Sequence, residues 1–170
     1  MTVSYRAATP TDYEPLAAMA RQSWIETFGH LYSEDDLNAF IGPVFGPDGL
    51  GRELSDPTLN IRLAEEDGRI AGFAKIGPVS MPGPLPAPAT ELKQLYVLKP
   101  WQGRGVAPAL MDWAIETARA AGSGFVHLSV YAENHRAKAF YTRYGFSEIG
   151  RYGFVVGNQV DDERIWSKPL

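Results

Sequence analysis

The sequence contains no cysteine among its 170 residues. Disulfide bonds, thiolate metal sites and cysteine-based nucleophilic catalysis are therefore excluded. The histidines His30, His127 and His135 show neither helical i,i+4 spacing nor cysteine partners, so they do not form a recognisable metal motif. We expect a protein without a bound metal.

The sequence also lacks an excess of positive charge and an apolar run long enough to cross a bilayer. Its formal net charge of −4 disfavours a general nucleic-acid surface, and its first residues, MTVSYRAATP, do not resemble a secretion signal. We therefore expect a cytoplasmic protein with no nucleic-acid and no membrane partner. A hydrophobic content of 45% predicts a single globular domain over residues 1–170.

The most informative stretch, Glu91–Met111, predicts a strand, a glycine-rich turn and a helix. β-Branched and aromatic residues end at Lys99-Pro100, where proline stops a strand. Gly103 and Gly105 follow, and apolar residues then recur every three to four positions, which predicts a helix over Val106–Ala121. Glycines permit positive φ at the turn, and main-chain N–H groups at a helix N-terminus attract anions. The turn is thus a candidate pyrophosphate site.

The turn is not one of the common nucleotide loops. No Gly-x-x-x-x-Gly-Lys-Ser/Thr run occurs, and Pro108 stands where a dinucleotide-binding loop needs its third glycine. Residues 102–107, QGRGVA, instead resemble the Gln/Arg-x-x-Gly-x-Gly/Ala signature of the GNAT superfamily of acyl-CoA N-acyltransferases. Residues 134–146, NHRAKAFYTRYGF, are similar to the family's Asn-x-x-Ala-x-x-Phe-Tyr-x-x-x-Gly-Phe segment, in the right order and at the right separation.

The periodicity predicts a mixed α+β (mixed α/β) fold in the order β-α-α-β-β-β-α-β-α-β-β, with about seven strands and about four helices. The first helix is predicted over Tyr13–Ile25, and a second from the cap Ser33 through Phe40 with its stop at Gly42-Pro43. The resemblance implies a GNAT-like sheet whose two central parallel strands splay apart to admit the coenzyme. The proline-rich segment Gly77–Ala89 is an extended loop, which is a solvated connector, a wall of the acceptor site or a ligand for a proline-binding partner.

The resemblance implies acetyl-CoA as co-substrate and assigns residues to it. Main-chain groups of Leu95, Tyr96 and Val97 would bind the pantetheine amides. The turn would hold the pyrophosphate through Gln102, Gly103, Arg104, Gly105, Val106 and Ala107, although a solvated Arg104 is an alternative. Asn134, with Ala137 in the same motif, would bind the pantetheine arm, serve as a helix N-cap, or do both.

The resemblance also implies two catalytic residues. Tyr141 lies where the family often has a tyrosine near the coenzyme sulfur, and its phenol could protonate the leaving thiolate. Glu91 resembles the glutamate that many relatives use as a base, usually through a water. The alternatives are a packed tyrosine and a solvated carboxylate at the end of a strand.

The end of the first predicted helix suggests the acceptor. Trp24, Phe28 and Tyr32 recur at four-residue spacing, and Glu26 and the acidic run 34–36 are close in sequence. The stretch is similar to the matching part of bacterial polyamine acetyltransferases, so an aromatic wall with carboxylates would suit a cationic amine. The alternative is that the three aromatic residues are core.

We therefore expect an enzyme that moves an acetyl group from acetyl-CoA directly to a primary amine of a small molecule, for example a polyamine. The alternatives are a protein N-terminal or lysine acetyltransferase, a non-catalytic acyl-CoA sensor, and an interaction domain that uses the proline-rich loop. A homodimer is left open.

Overall fold

The computed structural model describes residues 2–170 and has seven strands in one sheet. The strands are β1 (Ser4–Ala7), β2 (Asn60–Glu66), β3 (Arg69–Gly77), β4 (Ala89–Val97), β5 (Phe125–Tyr131), β6 (Ser147–Val156) and β7 (Gln159–Pro169). The helices are α1 (Tyr13–Phe28), α2 (Glu34–Val44), α3 (Val106–Ala120) and α4 (His135–Arg143). The predicted order of strands and helices is confirmed.

The sheet has the order β1-β2-β3-β4-β5-β7-β6, and its centre is the parallel pair β4 and β5. These two strands pair only from Ala89–Glu91 with Phe125–His127. Beyond Glu91 they diverge, so the predicted splay is confirmed. β4 also carries a bulge, because Lys75 pairs with Gln94 and Ile76 with Leu92, which leaves Lys93 as the extra residue.

Helices cover both faces of the sheet. A Cβ added to Gly72 would lie 3.3 Å from Val106 of α3 and only 2.7 Å from the Tyr96 carbonyl oxygen, so glycine is needed where β3, β4 and α3 meet. The next residue, Phe73, points to the opposite face. There its ring packs against Tyr96, which in turn contacts Phe45 after α2. The divergence of β4 and β5 therefore opens a gap between the α3 side and the α1–α2 side.

Two predicted helix ends were wrong. α1 continues beyond Ile25 to Phe28, because Trp24 and Phe28 pack together with ring centroids 5.1 Å apart. α2 passes through Gly42-Pro43 to Val44. Ile41 and Phe45 are both buried, and the Phe45 N–H donates to the Ile41 carbonyl, so burial outweighs the helical hydrogen bond that Pro43 cannot make.

Candidate active site

A cavity of about 890 Å³ lies where β4 and β5 diverge. On one side it is lined by β4, the turn before α3 and the exposed face of α4. On the other side it is lined by α1, α2, β6 and β7. We call the first the coenzyme half and the second the acceptor half. Ser80, Met81 and Pro82 also line the cavity, so this part of the proline-rich loop is a wall of the site.

The glycine-rich turn has the geometry that an anion site needs. Gly105 is the N-cap of α3 with φ +82°, and Gly103 has φ +76°. A Cβ at either glycine would meet no atom within 4 Å, so the turn is open. The N–H groups of Val106 and Ala107 lie in the first helical turn and have no intrahelical acceptor. Main-chain donors and the helix dipole together favour a phosphate here.

The edge of β4 beside the turn is free for a ligand. The Leu98 N–H donates to Ala71 of β3 at 2.9 Å, so in an alternating strand Tyr96 also faces β3. The main-chain groups of Leu95 and Val97 then face the diverging β5. Gln102 occupies one of them, because its Nε2 donates to the Val97 carbonyl at 2.9 Å. The remaining groups can bind the amides of an extended ligand.

Two arginines near the turn have different environments. Arg104 donates to both Glu66 oxygens at 2.7 and 3.1 Å and does not line the cavity. Arg136 does line it, and its Nη1 donates to Gln102 Oε1 at 2.5 Å. In this structure Arg136 is therefore better placed than Arg104 to reach a phosphate. The sequence offered no motif position for Arg136, which lies between two motif residues of α4.

α4 begins directly after its N-cap Asn134 and presents Tyr141 to the cavity. The Asn134 Oδ1 accepts from the Ala137 N–H at 3.2 Å, so Asn134 is an N-cap that also lines the cavity. Tyr141 is half-buried, and no side chain or carbonyl among residues 2–170 hydrogen-bonds to its hydroxyl. Burial, and secondarily the charge of Glu163, raises the pKa of Tyr141 to about 12. The phenol is therefore protonated at neutral pH and available as a donor.

The acceptor half contains an aromatic cluster. The Trp24 ring centroid lies 5.1 Å from that of Phe28, 5.4 Å from Tyr32 and 4.7 Å from Phe40. Trp24 is only 5% exposed, whereas the other three are half-buried and all four line the cavity. The residues predicted as a wall are thus brought together, and each is both core and lining.

The acidic residues predicted to accompany this wall lie elsewhere. Glu26 is two residues beyond Trp24, on another side of α1, where its Oε1 accepts from Gln22 at 2.9 Å. It does not line the cavity. Asp36 accepts from the Asn158 N–H at 2.8 Å and so supports the β6–β7 turn. The interpretation of Glu26 as an acceptor-binding residue is corrected by this placement.

Three other carboxylates face the cavity. Glu91 is 8% exposed, and its Oε1 accepts from the Ser80 N–H at 2.8 Å. Asp161 is 7% exposed and accepts hydrogen bonds from the Tyr32 hydroxyl and from Gln159. The third, Glu163, was missed by the sequence analysis.

Glu163 lies in the middle of β7, opposite Tyr131 of β5 and Tyr152 of β6. Burial raises the pKa of its carboxyl to about 7, the neighbouring charges of Asp161 and Asp162 add to the rise, and the Ser129 hydroxyl opposes it. A signal was present in the sequence. Strand alternation places Glu163 on the same face as the apolar Ile165, which favours an inward carboxyl, although the apolar Trp166 lies on the other face.

Within residues 2–170, no three His, Asp or Glu side chains converge on a metal-binding geometry. His127 is fully buried, with its Nε2 2.7 Å from the Pro86 carbonyl oxygen. It therefore anchors the proline-rich loop to β5. In the same part of the chain, no helix has both the length and the hydropathy to span a bilayer.

The coenzyme half fits a long ligand that carries amides and a pyrophosphate, because it offers a free strand edge next to an open helix N-terminus. Coenzyme A has that form, and its acetyl thioester supplies an activated acyl group. The acceptor half offers carboxylates and aromatic faces.

Known proteins are similar to this chain in sequence or in fold. An aminoalkylphosphonate N-acetyltransferase from Salmonella typhimurium is 32% identical over 120 residues, which covers 69% of this chain and 72% of the relative. A spermidine N(1)-acetyltransferase from Thermoplasma acidophilum is 24% identical and covers 86% of this chain and 89% of the relative. The crystal structure of the PaiA N-acetyltransferase from Thermoplasma acidophilum in complex with coenzyme A superimposes with a TM-score of 0.81, at 22% identity and full coverage of both chains.

The model of the acetyltransferase (GNAT) family matches residues 15–146. This range includes the glycine-rich turn, β4 and α4, and it ends before β6 and β7. The enzyme transfers an acetyl group from acetyl-CoA to an amine. The chain belongs to the acetyltransferase (GNAT) family.

Proposed function

We propose that the acceptor is a small alkylamine with more than one positive charge, such as a polyamine. The observation that carries this proposal is the chemistry of the cavity, where Asp161 and Glu163 of the acceptor half, together with Glu91 of β4, line the same space as an aromatic cluster. Lys93 lies 3.6 Å from Glu91 and compensates that carboxylate, whereas no lysine or arginine among residues 2–170 forms an ion pair with Asp161 or Glu163. Carboxylates attract ammonium groups, and aromatic faces add cation–π attraction.

The two named relatives differ in the charge of their acceptors, which makes the comparison useful. An aminoalkylphosphonate carries an anionic group beside its amine, whereas spermidine is a polycation. A cavity lined by Asp161 and Glu163 would repel a phosphonate and attract a second ammonium. The acceptor half of this chain therefore supports the cationic acceptor.

In the coenzyme half, we assign the residues that line the cavity to the binding of acetyl-CoA and to the protonation of its thiolate. Leu95 and Val97 bind the pantetheine amides through the main chain, the turn Gly103–Ala107 binds the pyrophosphate, and Arg136 adds a cation to it. Tyr141 donates the proton that the leaving thiolate needs. Its raised pKa keeps that proton in place until negative charge develops on the sulfur.

The proposal is tested by two measurements on the same protein. Acetyl-CoA binding is measured by titration calorimetry, and free thiol release is then followed with a panel of monoamines, diamines, polyamines, amino acids and aminoalkylphosphonates. We expect binding, and turnover that is highest with diamines and polyamines. Binding without thiol release for any amine would instead identify a sensor of acyl-CoA.

A further inference from the structure

We propose that Glu163, and not Glu91, is the base that takes the proton from the acceptor ammonium. The inference rests on the proposed acetylation of an amine. An alkylamine with a pKa of about 10.4 is only about one part in a thousand neutral near pH 7.4, so a base in the cavity has a large effect on the rate.

Glu91 is already engaged by donors. Its Oε1 accepts from both the N–H and the hydroxyl of Ser80, at 2.8 and 3.2 Å. The Lys93 ammonium lies 3.6 Å from the same oxygen and also donates to the Ser80 hydroxyl at 2.9 Å. An incoming ammonium would meet a carboxylate whose charge is compensated by Lys93 and whose Oε1 already accepts hydrogen bonds. These contacts suit a residue that fixes the loop wall.

Glu163 has the opposite environment. No lysine or arginine among residues 2–170 forms an ion pair with it, since its neighbour Arg164 is bound to Asp162 and Glu148. Glu163 is half-buried and lines the cavity. Its charge is close enough to raise the pKa of both Tyr96 of β4 and Tyr141 of α4. Glu163 and the proposed acid Tyr141 therefore line the same cavity, where the reacting amine must be.

The transfer can be written with every proton assigned. The Glu163 carboxylate accepts one proton from the ammonium and leaves a neutral amine. The amine lone pair forms the C–N bond to the thioester carbonyl carbon, and the C–S bond breaks with its electron pair on sulfur. Tyr141 gives its proton to that sulfur and regains one from the nitrogen. Glu163 releases its proton to water, so the products are an acetamide, a free thiol and one proton.

The protonation of Glu163 has to be distinguished from that of the titratable groups around it. Asp161 and Asp162 on its own strand raise its pKa. The other titratable neighbours are five tyrosines on different parts of the chain, whose pKa values its charge raises in turn: Tyr32, Tyr96, Tyr131, Tyr141 and Tyr152. All five stay protonated near pH 7. The carboxyl of Glu163 is therefore the group of this cluster that changes charge there.

The kinetic test compares Glu163→Gln, Glu91→Gln and the surface control Glu116→Gln on α3, with a diamine as acceptor. In the wild type we expect kcat/KM to rise about tenfold per pH unit up to an inflection near pH 7. The inflection should stay in place with a second acceptor of lower amine pKa, since it belongs to the enzyme. Glu163→Gln should lower kcat/KM by about 100-fold or more and remove the inflection. Glu91→Gln should keep it.

A second readout needs no catalysis. Folded Glu163 stays protonated until about pH 7, whereas the unfolded chain ionises it near its ordinary value of about 4.5. In the absence of acetyl-CoA, the unfolding temperature of the wild type should therefore fall relative to that of Glu163→Gln as the pH rises between these two values.

The outcomes distinguish a failure of the assignment of the base to Glu163 from a failure of the proposed function. A wild-type inflection that persists in Glu163→Gln and disappears in Glu91→Gln overturns the assignment to Glu163 alone. An unfolding difference that does not vary with pH also overturns it. Thiol release that is absent from the wild type with every amine overturns the proposed function together with the base.

Discussion

The coenzyme half and the acceptor half of the cavity are built by different means. The coenzyme half depends mainly on the main chain: a glycine turn with φ +82° at Gly105, the start of α3 and a free edge of β4. The acceptor half depends on side chains from α1, α2, β6 and β7, which are far apart in sequence. Backbone binding requires particular glycines at particular positions, whereas a set of converging carboxylates can be supplied by many strands. The coenzyme half is therefore defined by its backbone geometry, and the acceptor half by the chemistry of its side chains.

Among the substitutions that test this difference between the two halves, the largest effect is expected at Gly105. Gly105→Glu should lower acetyl-CoA affinity by about 1000-fold or more, because a carboxylate at the helix N-terminus opposes the pyrophosphate and a side chain fills the open turn. Gly122→Glu is the matched control, since Gly122 also has positive φ and open space but lies at the other end of α3. Both should lose about 1–2 kcal/mol of stability. Wild-type affinity in Gly105→Glu, measured by calorimetry, would contradict the backbone site.

Tyr141 lies where the two halves meet. Tyr141→Phe should lower kcat by about 10- to 1000-fold with little change in acetyl-CoA affinity, because only a proton donor is lost. Tyr144→Phe is the control: its hydroxyl donates to Asp112 and to the Pro108 carbonyl, and Tyr144 itself does not line the cavity. If the two variants turn over at the same rate in steady-state assays, Tyr141 is a packing residue.

The acceptor half is tested at Asp161. Asp161→Asn keeps the shape and should raise the KM of a diamine about fivefold, since the attraction between one carboxylate of the open cavity and an ammonium group contributes about 1 kcal/mol. The KM of acetyl-CoA should stay the same. Glu26→Gln removes a carboxylate outside the cavity and should change neither value. A larger effect of Glu26→Gln than of Asp161→Asn would show that the acidic acceptor site lies on α1.

The smallest effect is expected from the arginines of the coenzyme half. Arg136→Gln should weaken acetyl-CoA binding by about threefold at low salt. This corresponds to about 0.6 kcal/mol, because an exposed guanidinium contributes only about 1 kcal/mol or less to phosphate binding. Arg104→Gln should leave the affinity unchanged, since that side chain is held by Glu66. Calorimetry at two salt concentrations separates them. A greater loss in Arg104→Gln would show that Arg104 leaves Glu66 for the coenzyme.

Much of the coenzyme half could be predicted from the sequence, because its motif residues impose backbone geometry. Gly103 and Gly105 adopt positive φ, and the strand before them splays from β5 as expected. The role of Arg104 could not be predicted, since its partner Glu66 belongs to β2 and only the folded sheet brings the two together.

The acceptor half was harder to predict for the same reason. The aromatic spacing of Trp24, Phe28 and Tyr32 identified the wall, because helical periodicity is a local property. Its carboxylates are not local. Glu26 is adjacent in sequence but turned away, while Asp161 and Glu163 arrive from the last strand. The alternation in β7 indicated an inward Glu163, but no motif marks that strand.

The most direct test of a cationic acceptor site is a matched series of three acceptors: 1,4-diaminobutane, butylamine and 2-aminoethylphosphonate. All three present a primary amine, and they differ in the charge at the far end. The measured quantity is kcat/KM from thiol release at one pH and ionic strength. We predict the diamine to exceed the monoamine by about fivefold, the equivalent of about 1 kcal/mol, with the phosphonate below both. Equal values, or a preference for the phosphonate, would contradict an acceptor half built on Asp161 and Glu163.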